Sequence, residues 1–69
     1  SSVGEFKARP TPENLEMLKR TCKQIEERLG IKTDKVILAA EQLLKFNTRK
    51  NRMVLNDATK EVVAQIISM

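Results

Sequence analysis

The apolar positions of this chain recur at helical spacing, and the clearest run is Leu15, Leu18, Cys22, Ile25 and Leu29. Alternating steps of three and four residues put all five on one face of an α-helix. The start signal lies just upstream, in Thr11-Pro12-Glu13. Thr11 can accept from an unpaired backbone N–H, Pro12 suits the first helical position, and Glu13 complements the helix dipole. Gly30 supplies the left-handed residue that closes a helix, and Ile31 is placed to fold back on Ile25. A first helix over about 12–29 follows, with Glu16 and Arg20 spaced for an i, i+4 ion pair.

Thr33-Asp34 caps a predicted second helix, 34–46. Val36, Ile37, Ala40, Leu43 and Leu44 give it a broad apolar face, suited to a helix lying between two neighbours. Lys35, Glu41, Gln42 and Lys45 take the opposite side. Leu38 and Phe46 fall outside the apolar face, and with Gln42 they form an outward ridge at steps of four. Residues 47–56 read as a polar connector in which Met53-Val54-Leu55 drops back to the core. Asn56-Asp57 then caps a third helix, 57–68, with Ala58, Val62, Val63, Ile66 and Met69 inward. Residues 1–10 are polar, carry Gly4 and Pro10, and read as a flexible N-terminal segment in which Val3 and Phe6 are the residues able to dock.

The predicted architecture is all-α, a compact three-helix bundle occupying residues 11–69, with short connections that favour antiparallel neighbours. At 69 residues the chain holds one small domain, and a domain of this size buries only about 60% of its unfolded surface. Cys22 is alone, so no disulfide forms within the chain. There is no His, which removes the usual zinc ligand sets. The single cysteine and the lack of a signal-like run indicate a reducing, intracellular setting, cytoplasm or nucleus, and one module of a larger protein. No stretch nears the roughly 18 apolar residues of a membrane span, so no membrane partner is expected.

Charge is unevenly placed. The chain carries 13 Lys and Arg against 9 Asp and Glu. Residues 12–30 hold four of each sign, whereas 48–56 hold Arg49, Lys50 and Arg52 with no acid. Catalytic signals are missing. Without His there is no Ser–His or Cys–His pair. Glu26 and Glu27 are adjacent and point apart on a helix, and Gly4 and Gly30 are too far apart for a phosphate-cradling loop. The expectation is a non-enzyme with no metal and no cofactor.

Two binding readings remain. In the first, a partner protein presenting an acidic surface or helix docks on the second helix and the following connector. Leu38 and Phe46 supply contact area, Gln42 a hydrogen bond, and Arg49, Lys50 and Arg52 attraction. A homodimer through the same ridge is a variant of it. In the second, Lys23–Leu29, a turn at Gly30–Asp34 and a recognition helix from Lys35 to Asn47 form a DNA-binding helix-turn-helix, with Arg49, Lys50 and Arg52 on phosphates. Glu26 stands against it, where the helices meet and a small residue is needed. So do the unbroken first stripe and the few base-reading side chains at Lys35, Leu38, Gln42 and Lys45. Tyr and Trp are absent, which removes the usual stacking platforms for single strands.

The run Gly30-Ile31-Lys32-Thr33-Asp34-Lys35, with Glu41-Gln42-Leu43-Leu44 and Ala58-Thr59-Lys60-Glu61-Val62-Val63, resembles parts of BAG domains. Those are three-helix modules that bind the ATPase domain of heat-shock chaperones. The second helix here is shorter than theirs and lacks their acidic end, and Thr59 stands where that family usually has Arg. The resemblance therefore implies a three-helix shape and no transfer of function.

Overall fold

The stripe from Leu15 to Leu29 lies on one unbroken helix in the computed structural model, which describes residues 1–69. The chain is all-helical, but it forms four helices rather than three: α1 (Ser2–Ala8), α2 (Pro12–Leu29), α3 (Asp34–Lys45) and α4 (Arg49–Ile67). Neighbours in sequence pack on one another, so α3 lies between α2 and α4. Each helix contributes one fully buried large side chain to a single core: Phe6, Leu18, Leu43 and Leu55.

The extra helix is the segment expected to be a flexible lead-in. Ser1 caps it, its Oγ accepting from the Gly4 N–H at 3.1 Å. Phe6 then anchors it in the core, with Val3 packed alongside. Lys7 Nζ donates to Asn56 Oδ1 at 2.7 Å, which ties α1 to α4. Pro10 ends α1 by forcing the residue before it out of the helical region, and Arg9 sits at φ −140° and ψ 88°.

The second correction concerns residues 47–56. Most of the expected connector is the first half of α4, which begins at Arg49 rather than at Asp57. Its start repeats the geometry of α2. Thr11 Oγ1 accepts from the Asn14 N–H at 3.2 Å, and Thr48 Oγ1 from the Asn51 N–H at 3.1 Å. Each of these asparagines then donates from Nδ2 to a carbonyl five residues back, Arg9 O and Phe46 O, both at 2.8 Å. Asn56 and Asp57, expected as a cap, are mid-helix. Of Met53-Val54-Leu55 only Leu55 is buried, because only Leu55 continues the inward line through Ala58 and Val62. Val63, Ile66 and Met69, expected in the core, are exposed.

Elsewhere α2 and α3 follow their patterns. Gly30 closes α2 at φ 70°, and Ile31 is buried just beyond. Leu15, Leu18 and Cys22 are buried, Ile25 is partly so, and Leu29 is exposed. Glu16 pairs with Lys19 rather than with Arg20, and Lys19 also reaches Glu41, both at 3.7 Å. These exposed pairs contribute little to stability.

Thr33 stands at the N-cap of α3 but does not accept a capping bond there. Its N–H and its Oγ1–H both donate to Glu26 Oε2, at 2.9 and 2.8 Å. These two bonds pin the α2–α3 turn, and together they hold the Glu26 carboxyl below its ordinary range. The sign follows directly. A depressed folded-state pKa means the link stabilises fully above the ordinary Glu range and is lost as pH falls through the folded value. In urea titrations across that acid range, Glu26→Gln should lose part of the wild-type decline in stability on acidification. Identical acid limbs for the two proteins would show that the link contributes nothing.

Candidate docking surface

Because α3 and α4 run antiparallel from a three-residue turn, their outer faces form a continuous groove of about 390 Å³. Leu38, Ala39, Val54 and Ala58 make its apolar part, and Gln42 and Asn51 line it toward the turn. Lys35 Nζ closes the far end with Glu61 Oε2 at 3.5 Å, beside Asp57. Leu38 is 61% exposed although it sits on a helix otherwise rich in core residues. The carbonyls of Gln42 in α3 and of Phe46, its C-cap, both accept from Asn51 Nδ2, at 3.4 and 2.8 Å, which fixes the register of the two helices at the turn.

The six sequence-predicted site residues divide into two groups. Leu38 and Gln42 line the groove. Phe46, Arg49, Lys50 and Arg52 lie beyond its turn end. Phe46 caps the C-terminus of α3 and is 62% exposed. Arg49, Lys50 and Arg52 occupy the first turn of α4, and Arg52 Nη1 donates to Asn47 Oδ1 at 3.3 Å. Sequence reading missed Val54, Asp57 and Glu61 as groove residues because it took 47–56 as a connector and began the last helix only at Asp57, so the α4 wall beside Leu38 and Gln42 was not continuous. The signal that could have placed them is the Thr-x-x-Asn cap at Thr48, identical in spacing to that at Thr11.

Electrostatics single out the corner. Lys45, Arg49, Lys50 and Arg52 lie within one turn of sequence on either side of the α3–α4 junction, with no acid among residues 42–56. The remaining nine bases and nine acids of the chain cancel, so this corner carries the whole net charge of +4. Three of those cations sit at a helix N-terminus, where the backbone is itself partly positive. Cations there are disfavoured by about 0.3–1 kcal/mol each. No acid in that first turn offsets them.

The helix-turn-helix arrangement fares differently. Its first helix, Lys23–Leu29, is the tail of the 18-residue α2. Glu26, standing where that motif needs a small residue, is engaged with Thr33. Lys35 on the would-be recognition helix faces Glu61 of α4. No helix is long and apolar enough to cross a membrane. Comparison of the chain with protein-family models, curated proteins and solved structures gives no significant match, so its own residues carry the functional reading.

Proposed function

We propose that this chain is a protein-interaction module, part of an intracellular protein of the cytoplasm or nucleus, that docks a partner segment along the α3–α4 face, apolar where it lies in the groove and acidic only where it meets the basic corner beyond the turn. The observation that carries this reading is the exposed Leu38 on the wall of an apolar groove that leads to a corner of charge +4. Leu38 and Val54 would bury partner side chains, Gln42 would supply a hydrogen bond, and Phe46 would extend the contact past the turn. Arg49, Lys50 and Arg52 would attract carboxylates and speed encounter. Apolar contact supplies affinity, and the charged end sets orientation along the groove.

Duplex DNA is the second reading, and the same +4 corner is what favours it. Asp57 and Glu61 on the groove oppose it, since they face any phosphate backbone laid along α3.

One experiment separates the two. Leu38→Asp places a charge at an exposed position, so helical circular dichroism should be unchanged while capture of a protein partner is lost. Wild-type chain titrated with generic duplex DNA should show no steep, salt-dependent binding. Retained capture by Leu38→Asp would overturn the docking reading, and steep salt-dependent DNA binding would replace it with the second.

A further inference from the structure

At the other end of α4 the surface has the opposite character. A second groove, of about 370 Å³, lies between α1, α2 and the C-terminal half of α4. Val3, Ile25, Val63 and Ile66 line it above Cys22. None of its 13 lining residues has a charged side chain, in a chain where 32% of residues do. Its threonines offer little free polarity. Thr21 Oγ1 donates to Met17 O at 3.2 Å, Thr59 Oγ1 to Leu55 O at 2.8 Å and Thr33 Oγ1 to Glu26 Oε2 at 2.8 Å, so all three hydroxyl protons are spent within the chain. Beyond Glu61 no side chain from Val62 to Met69 is charged either. They end in the two most exposed large apolar side chains of the chain, Ile67 at 79% and Met69 at 71%.

A concavity and a projection, both without charged side chains, thus lie side by side on one surface. A two-fold interface needs that combination, because the same patch must supply both the insert and its receptor. We propose that two copies of this chain meet at this end, with Ile67 and Met69 of each copy filling the groove of the other.

Charge selects the same end. The +4 corner lies at the N-terminus of α4, and this 19-residue helix is about 28 Å long at 1.5 Å per residue. That exceeds the screening length of about 8 Å at physiological salt. Pairing through the C-terminal end keeps the two basic corners apart, whereas pairing through the α4 N-terminus would bring like charges together. A dimer of this kind leaves the α3–α4 groove open, so it stands or falls independently of the docking reading.

Sedimentation equilibrium of the full chain, from low micromolar to near-millimolar, reads the oligomeric state. The mass should rise from 7.9 kDa toward twice that value. High salt should leave the association intact or strengthen it. Ile67→Glu, at a position that makes almost no intrachain contact, should keep its helical circular dichroism and weaken association tenfold or more. Leu38→Asp should leave association unchanged. A monomer at every concentration overturns the proposal, as does association that Ile67→Glu spares or that high salt dissolves. A chain that stays monomeric while its Val63 and Ile66 methyl signals shift with added benzene overturns it in favour of a small-molecule site.

Discussion

Phe6→Ala should lower the stability of this domain by about 3–5 kcal/mol, the usual cost of truncating a fully buried Phe. Phe6 is fully buried and is the only buried residue of α1. Its removal therefore leaves a cavity in the single core or releases the helix altogether. For a chain of this length the whole stability is about 3–10 kcal/mol, at 0.05–0.15 kcal/mol per residue. A loss of that size is a large fraction of the total. The thermal midpoint should fall by about 12 °C or more, and amide exchange in residues 2–8 should accelerate beyond that of α2. A truly flexible lead-in would instead tolerate the change within about 0.5 kcal/mol, as surface substitutions do. A midpoint shift of that small size would remove α1 from the fold.

Cys22→Asp should abolish cooperative folding at neutral pH. Cys22 is buried on the inner face of α2, and burial pushes its thiol pKa up, with the nearby Glu26 carboxylate adding to the shift and the Thr33 hydroxyl opposing it. An aspartate there would meet the same dry surroundings and the same negative neighbour. The one donor close by, Thr33, is already committed to Glu26. An uncompensated buried charge costs about 3–5 kcal/mol, which again rivals the total. Cys22→Ala, which removes the sulfur without adding charge, should keep the cooperative transition. A folded Cys22→Asp variant in equilibrium urea unfolding would mean that this face of α2 is wet.

What could be read from sequence follows from how many repeats each element contains. Five apolar positions and two terminal signals define α2, and Leu15, Leu18 and Cys22 turn inward as spaced. The apolar face of α3 was equally legible, and so was the exposure of Leu38 and Phe46, because enough residues define the face for outliers to stand off it. Seven residues with one anchor cannot show a period, which is why α1 was hidden until Phe6 had a core to enter. The start of α4 was hidden for a different reason. Its first turn carries cations where acids usually stand, and its inward line of Leu55, Ala58 and Val62 is narrow. Asn47 to Asn56 therefore looked like a loop, although Thr48 and Asn51 repeat the cap that opens α2. That placed the basic cluster on a polar connector, whereas it occupies the first turn of α4. It also concealed the α4 wall of the groove and left Val63, Ile66 and Met69 assigned to a core they do not enter.

The docking surface rests on Leu38 facing outward while Leu55, on the neighbouring helix, faces inward. The most direct measurement is equilibrium unfolding of two variants carrying the same change, Leu38→Asp and Leu55→Asp, followed by helical circular dichroism. The arrangement of α3 and α4 predicts that Leu38→Asp unfolds within about 0.5 kcal/mol of the parent chain, while Leu55→Asp shows no cooperative transition. Unfolding of Leu38→Asp, or a stably folded Leu55→Asp, would contradict it.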